Sequence, residues 1–277
     1  MPFETVSDQR SFGGRQLVVQ HDSAATSTPM RAGIYLPPQG ASAAPVLFFL
    51  SGLTCTEQNV VTKGGFQRLA AELGMVVVCP DTSPRGDEVA DDEAYDLGKG
   101  AGFYLDATQA PWARHYQMER YVMQELPAVV AEVRGGAVGR FGLTGHSMGG
   151  HGALTLALRH PEQVSSVSAF APICAPTQCP WGTKALSAYL GDDPAAWEAH
   201  DATALLKRRD WHGDVLVDQG LADGFLDSQL HPHLLEAAAG DVGVPLTLRR
   251  HEGYDHSYFF IATFLGDHLR WHRERLG

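Results

Sequence analysis

Short apolar runs recur along the chain and alternate with segments of helical periodicity. The runs are continuous rather than alternating, which is typical of strands in a sheet that is covered on both faces. They lie at residues 46–50, 75–79, 140–144, 164–170, 214–217 and 245–249. Helical patterns lie at residues 66–73, 117–133, 148–159, 228–239 and 258–275. This alternation predicts an α/β fold with a mostly parallel central sheet and helices on both faces.

Two stretches depart from the alternation. Residues 4–36 are predicted to form antiparallel strands at the edge of the sheet. The segment 83–112 has no clear period and carries an acidic cluster, so it is either a cover over an active site or a solvated surface excursion. No linker or internal repeat divides the chain, and we expect residues 1–277 to form a single domain.

The predicted last helix has a cap and two faces. Ser257 precedes it and is expected to cap it. The apolar positions of the helix are predicted to face the core, and His268 and His272 to lie on its exposed side.

Composition and charge narrow the classes of function. The chain has 277 residues, of which 44% are hydrophobic and 19% charged, which is enough for a sizeable core. Its net charge of −11 disfavours nucleic acid as a partner. The polar start predicts no signal peptide, and no apolar stretch approaches the roughly 20 residues that span a bilayer. The four cysteines are too few for a disulfide framework, so we expect reduced thiols and a cytoplasmic protein.

The pentapeptide at residues 145–149, Gly-His-Ser-Met-Gly, matches the G-x-S-x-G nucleophile elbow of the α/β-hydrolase fold. A bare match is weak evidence, but here a predicted strand leads into the motif and a predicted helix leads out of it. The serine of such an elbow lies on a sharp turn that points its hydroxyl away from the sheet. The flanking positions are glycine because side chains there would collide with neighbouring backbone. We therefore predict that Ser147 is a nucleophile.

Two backbone amides are candidate donors to an oxyanion. The N–H of Met148 lies at the positive start of the predicted helix. In this fold the second donor comes from the loop after an earlier strand. That loop follows residues 46–50, where Gly52 permits a tight approach and Leu53 is the candidate donor. The alternative is an ordinary glycine turn.

A base and an orienting acid are expected later in the chain, in the order serine, acid, histidine. Among the thirteen histidines, His256 follows the last predicted strand, in a loop from which an imidazole can reach Ser147. Asp218 directly continues the preceding strand, whereas Asp223 lies in the loop beyond and is freer to reach His256. The spacing favours Asp223 and leaves Asp218 as the alternative.

No cofactor or metal is expected. The chain has no P-loop, no H-E-x-x-H motif and no dinucleotide fingerprint. His231 and His233 form an H-x-H pair, but no third ligand lies nearby in the sequence, so we predict no metal site.

Longer stretches resemble one family, S-formylglutathione hydrolase of the esterase D type. The stretches that carry the resemblance are Ser51–Asn59, Asp81–Gly86, Gly100–Thr108, Gly145–Leu154, Ser166–Cys174, Cys179–Gly182 and Glu252–Phe264. The resemblance implies hydrolysis of S-formylglutathione to glutathione and formate, in glutathione-dependent formaldehyde detoxification, and it implies a homodimer. It places the nucleophile, base and acid on Ser147, His256 and Asp223, and the oxyanion donors on Leu53 and Met148.

Two further residues are candidates for the substrate pocket. Trp181 is either a wall of a tight acyl pocket or an ordinary core tryptophan. Cys55, two residues after Leu53, is either a small buried residue or a modifiable thiol beside the oxyanion hole. On the second interpretation, thiol reagents lower the activity through Cys55.

Two other functions are compatible with the same residues. A general short-chain carboxylesterase shares every candidate catalytic group and differs only in its relative kcat/KM values. A non-catalytic binding protein on this scaffold would have no need to keep Ser147, His256 and both elbow glycines.

Overall fold

Nine strands form one sheet in the computed structural model, which describes residues 2–208 and 210–277. The strands are β1 (Glu4–Ser11), β2 (Gly14–Ser23), β3 (Thr28–Leu36), β4 (Val46–Leu50), β5 (Val76–Pro80), β6 (Phe141–Gly145), β7 (Val164–Phe170), β8 (Val215–Gly220) and β9 (Leu246–His251). Their order in the sheet is β1-β2-β3-β5-β4-β6-β7-β8-β9. Strands β4 to β9 are parallel, and β1, β2 and β3 join them as an antiparallel edge.

The sheet is fully buried at its centre, where β4, β5 and β6 carry no exposed residue. The helices are α1 (Gln58–Lys63), α2 (Gln67–Leu73), α3 (Met118–Arg120), α4 (Leu126–Arg134), α5 (Met148–Arg159), α6 (Pro180–Leu190), α7 (Pro194–Glu198), α8 (Ala202–Leu205), α9 (Pro232–Val242) and α10 (Tyr258–Leu276). The chain moves in opposite directions along the sheet from β4 to β5 and from β6 to β7. Right-handed crossovers therefore place α1 and α2 on one face and α5 on the other. This confirms the predicted fold class.

The segment between β5 and α3 contains only a short 3-10 turn, Trp112–Arg114, beyond isolated bridges and turns. Its middle is not a solvated excursion, because Phe103, Tyr104 and Leu105 are buried in the core. Tyr95 is exposed and reaches the rim of the candidate site. The segment is thus mostly a packed layer that touches the site at one residue.

The last helix differs from expectation on one face. Ser257 caps α10 as predicted, since its Oγ accepts a hydrogen bond from the Phe259 N–H at 3.3 Å. His268 and His272, however, are fully buried, and the prediction that they are exposed is wrong. Their rings lie over β7, where His272 contacts Ser166 and both histidines contact Ser168 at 2.7–2.8 Å. Polar side chains on that strand account for the buried histidines.

Candidate active site

Ser147 lies at the turn between β6 and α5. Its backbone has φ 58° and ψ −119°, in the left-handed half of conformational space that non-glycine residues rarely occupy. The Ser147 N–H donates to the Phe170 carbonyl at 3.0 Å, and this bond fixes the turn to the neighbouring strand β7. The strained serine is therefore held at the carboxyl edge of the sheet, in the position that the elbow motif predicts.

The two elbow glycines are required by space. A Cβ on Gly145 would lie 2.2 Å from the Gly149 carbonyl oxygen, and one on Gly149 would lie 2.0 Å from the Leu50 carbonyl oxygen. Both contacts are with backbone, that of the elbow itself in the first case and that of the end of β4 in the second, and it cannot move aside without changing the turn. The sharpness of the turn thus depends on the absence of both side chains.

His256 and Asp223 are in direct contact. His256 Nδ1 lies 2.5 Å from Asp223 Oδ2, and the Asp223 side chain has no solvent exposure. The other carboxylate oxygen accepts the Phe225 N–H at 2.9 Å. A carboxylate held in this way orients the imidazole and leaves Nε2 as the free nitrogen. His256 and Ser147 line the same pocket.

The alternative acid, Asp218, has other partners. Its carboxylate accepts two hydrogen bonds from Arg249 at 2.6 Å and lies 3.2 Å from His268 Nε2. Burial opposes its ionisation, but the bonds from His268 and Arg249 outweigh it and hold the pKa of Asp218 below its usual value. Asp218 is thus committed to an internal ion pair, whereas Asp223 meets His256.

The two predicted oxyanion donors occupy the same region. Met148 is the first residue of α5, so its N–H has no carbonyl one turn back along the helix. Leu53 lines the pocket with Ser147, and in the described part of the chain its N–H has no hydrogen-bond acceptor. Amides that are free in this way are available to a developing negative charge.

The segment between β5 and α3 supports the Leu53 loop from behind. The Thr54 N–H donates to the Gly100 carbonyl at 2.9 Å, and the Tyr104 hydroxyl donates to the Ser51 carbonyl at 2.8 Å. Thr54 itself has φ 66°. These bonds pin the loop on both sides of Leu53 and fix the direction of its amide.

The pocket in front of Ser147 has a volume of about 280 Å³. Its walls include both candidate pocket residues, Cys55 and Trp181. Three further aromatic residues also line it, Tyr95, Phe225 and Tyr258, none of which the sequence analysis identified. Phe225 and Tyr258 each lie two positions after a predicted site residue, Asp223 and His256, and this proximity is the signal that was available.

Aromatic contacts hold this wall together. The Trp181 indole Nε1–H donates to the Tyr95 hydroxyl at 3.2 Å, and its ring lies 4.7 Å from that of Phe225. Phe225 in turn contacts the His256 ring at 5.0 Å. Trp181 is therefore both well buried and a wall of the pocket. The wall is apolar, and it suits a small uncharged acyl group.

Two ionisable residues that line the pocket with His256, namely His146 and Cys55, have shifted pKa values and are uncharged at neutral pH. Burial, with the neighbouring His256 as a second cause, holds the pKa of His146 well below its usual value. The ring centroids lie 4.3 Å apart, so His146 is an uncharged neighbour of His256 at neutral pH. Burial also raises the pKa of the Cys55 thiol, so at neutral pH this cysteine is a thiol and not a thiolate.

Residues 2–208 and 210–277 contain no group of three or more His, Cys, Asp or Glu side chains placed to hold a metal ion. None of their helices combines the length and hydropathy that crossing a membrane requires.

Known proteins with a similar sequence or fold include esterases and S-formylglutathione hydrolases. The family described as "Putative esterase" matches residues 23–271. The S-formylglutathione hydrolase of Paracoccus denitrificans is 55% identical over 100% of this chain and 99% of its own. A solved S-formylglutathione hydrolase from Agrobacterium tumefaciens is 50% identical, with a TM-score of 0.96 over 99% of both chains. A ferulic acid esterase from Anaeromyces mucronatus is 18% identical, with a TM-score of 0.65 over 99% of this chain and 97% of its own, and shares the fold alone.

Proposed function

This chain belongs to the esterase family that includes the S-formylglutathione hydrolases, and from that premise we propose that it hydrolyses S-formylglutathione to glutathione and formate. The observation that carries the choice of substrate is the 55% identity to the Paracoccus denitrificans enzyme over the whole chain. The contact between Asp223 and His256, in one pocket with Ser147, supports the mechanism.

In the first half-reaction Ser147 Oγ attacks the formyl carbon, and its proton passes to His256 Nε2. The carbonyl oxygen becomes an oxyanion, which accepts hydrogen bonds from the Leu53 and Met148 N–H groups. Asp223 stabilises the imidazolium that forms. The C–S bond then breaks, the proton on His256 passes to the leaving sulfur, and Ser147 carries the formyl group as an ester.

In the second half-reaction water takes the place of glutathione. His256 removes a proton from the water, whose oxygen attacks the formyl carbon. The oxyanion forms again at the same two amides, and the C–O bond to Ser147 breaks as His256 returns the proton to Oγ. Formic acid leaves and gives its remaining proton to solvent to become formate, and the serine is regenerated.

The pocket suits a thioester of a small acid. A thiolate with a pKa near 8.5 leaves readily, so the reaction needs a nucleophile and oxyanion donors more than a strong acid. The pocket of about 280 Å³ lies at the small end of ligand sites and is walled by Trp181 and Phe225. A formyl group fits beside these rings with room left for the sulfur.

The test compares two substrates and two variants. We expect wild type to hydrolyse S-formylglutathione with a much higher kcat/KM than phenyl acetate, and Ser147→Ala to lose both activities by about 10⁴-fold or more. The matched control is Ser187→Ala on α6, whose hydroxyl donates to Asp192 and bonds no other side chain of the described residues, and it should retain both activities. Equal or better turnover of phenyl acetate by wild type would make the protein a general short-chain esterase.

A further inference from the structure

A second, polar cavity lies on the other side of the Cys55 loop. It has a volume of about 420 Å³ and is lined by Gln20, Arg31, Glu57, Gln58, Asp81 and Arg85, among others. The acyl pocket beside Ser147 ends at Cys55, and this cavity begins at Thr56. The two cavities therefore lie on successive residues of one loop. None of the steps described above uses the second cavity.

The sheet fixes the distance between the cavities. Ser147 follows β6, and Asp81 follows β5, which lies two strands away at the same edge of the sheet. Arg31 lies on β3, one strand further out, and its carbonyl accepts a hydrogen bond from the Asp81 N–H. With strands about 4.8 Å apart, the second cavity lies roughly 10–14 Å from Ser147.

That distance matches the length of a glutathione thioester. Nine bonds connect the acyl carbon, through the cysteine and the γ-linked amide, to the α-nitrogen of the γ-glutamyl residue. An extended chain advances about 1.2 Å per bond, so this path spans roughly 11 Å. The γ-glutamyl end of an intact thioester whose acyl carbon lies at Ser147 therefore reaches the second cavity when the peptide lies along the loop.

The cavity presents a carboxylate that forms no ion pair among the described residues and a guanidinium whose terminal N–H groups are free. Glu57 is only 4% exposed, yet its carboxylate accepts a single hydrogen bond, from Gln58 Nε2 at 3.3 Å, and forms no ion pair among the described residues. Arg31 uses its Nε–H for Gln20 at 2.9 Å, and its two terminal nitrogens have no partner in the described chain. Arg85 and Asp81, in contrast, neutralise each other at 2.8 Å.

The Arg85 guanidinium also interacts electrostatically with Glu57, but its N–H groups are bonded to Asp81, so one cation faces two carboxylates. The remaining negative charge is costly to bury unless a ligand supplies a second cation. A free terminal pair of guanidinium N–H groups suits a carboxylate. Together the two side chains match a ligand that carries an ammonium and a carboxylate on one carbon. The γ-glutamyl end of glutathione is such an amino-acid zwitterion, whereas a simple alkyl or aryl ester offers neither charge.

We propose that Glu57 and Arg31 bind the ammonium and the α-carboxylate of the γ-glutamyl residue of a glutathione thioester, while its acyl group lies against Ser147. The inference rests on the proposed function and names the residues that distinguish a glutathione thioester from a simple ester. Glu57 and Arg31 touch only the far end of the substrate, so they act on binding and not on the chemical step.

The test uses Glu57→Gln, which keeps the shape and removes the charge. We expect KM for S-formylglutathione to rise about tenfold, as for the loss of one charge-assisted hydrogen bond, with kcat within twofold of wild type. The truncated substrate N-acetyl-S-formyl-cysteinylglycine lacks the γ-glutamyl residue. Its KM should be raised in wild type and should not rise further in the variant, because the interaction is already absent.

Two further variants keep the test decisive. Arg31→Gln changes an exposed side chain and should raise KM for S-formylglutathione in the same selective way, even where Glu57→Gln folds poorly. Glu198→Gln, exposed on α7, makes the same chemical change elsewhere and should leave both substrates at wild-type values.

Two results would overturn the inference. In the first, both cavity variants keep the wild-type KM for S-formylglutathione. In the second, the variants raise KM for the truncated substrate by the same factor as KM for S-formylglutathione. Failure of wild type to prefer S-formylglutathione over phenyl acetate would instead reject the proposed function itself, and it is seen before any variant is measured.

Discussion

Exchanging each of the two candidate acids for its amide separates catalysis from stability. Asp223→Asn removes the charge from a contact of 2.5 Å with His256 Nδ1, inside a site where the carboxylate has no solvent exposure. The amide also presents an N–H₂ group that favours the wrong imidazole tautomer. In a triad of serine, histidine and aspartate this exchange lowers kcat by about 10⁴, equivalent to about 5.5 kcal/mol in the barrier.

Asp218→Asn is the matched control, because it is the same exchange five residues earlier in the chain. It weakens two charge-assisted bonds to Arg249 of 2.6 Å each. The guanidinium side chain is 31% exposed and can be partly resolvated, so we expect a loss of about 2 kcal/mol in the free energy of unfolding. This corresponds to a fall in Tm of roughly 5 °C, with kcat within about threefold of wild type.

The assay pairs steady-state hydrolysis of S-formylglutathione with thermal unfolding followed by circular dichroism. The expected pattern is crossed, with Asp223→Asn folded and nearly inactive and Asp218→Asn active and less stable. A folded Asp218→Asn protein that loses activity by 10³-fold or more would refute the assignment of the acid to Asp223. Asp223→Asn with near-normal kcat would refute it as well.

Four other predictions follow from burial and space. Gly149→Ala should lower kcat/KM by about 100-fold, because its Cβ would lie 2.0 Å from a backbone oxygen. Gly240→Ala, with nothing within 4 Å of its Cβ, should keep activity and gain about 0.5–1 kcal/mol of stability. Burial lowers the pKa of His151 and of His200 to about 4. The unfolded chain therefore binds more protons below pH 6.5, and acidification from pH 7 to pH 5 should cost about 2 kcal/mol for each, read from urea midpoints; an unchanged midpoint would contradict this. Iodoacetamide should inactivate slowly at pH 7 and faster at higher pH through the buried Cys55 thiol, and full sensitivity of Cys55→Ser would exclude that residue.

Much of the fold was predictable because strands that are buried on both faces require continuous apolar residues, which are visible in the sequence. Its central strands β4 and β5 are unbroken apolar runs, and the observed bounds of the predicted strands lie within a few residues of the predicted ones. Glycine and serine mark the ends of helices, as at Ser257. Helices α1 and α6 were missed. Helices α7 and α8 were missed as well, and α1, α7 and α8 have only four to six residues, too few to show a clear helical period.

Side-chain contacts in the site were less predictable. The order of the motifs placed Ser147, Asp223 and His256 at strand ends that a parallel sheet brings to one edge. The aromatic wall could not be predicted in the same way, because Tyr95 reaches the pocket from an irregular segment about 50 residues before the serine. Hydrophobic periods of 2 and 3.6 residues identify strands and helices, and they carry no information about an irregular segment.

The histidines of α10 show where helical periodicity fails for a physical reason. Polarity suggested that His268 and His272 face water, yet both lie on the buried face. Their neighbours on β7 are serines, and β8 contributes Asp218. A polar side chain is stable in the core when the opposing layer supplies partners, and only the three-dimensional arrangement reveals those partners.

Asp218 and Asp223 have different roles because they lie on different sides of the end of β8. Asp218 lies within the strand, in register with Phe170 on β7, so its side chain stands roughly perpendicular to the sheet and enters the helix layer. Asp223 lies three residues beyond the strand end, where the chain has turned along the edge of the sheet. Only from there does a carboxylate reach a histidine that arches over the same edge. The position of an acid relative to the end of its strand, more than its distance in sequence from the base, decides whether it orients an imidazole or buttresses the core.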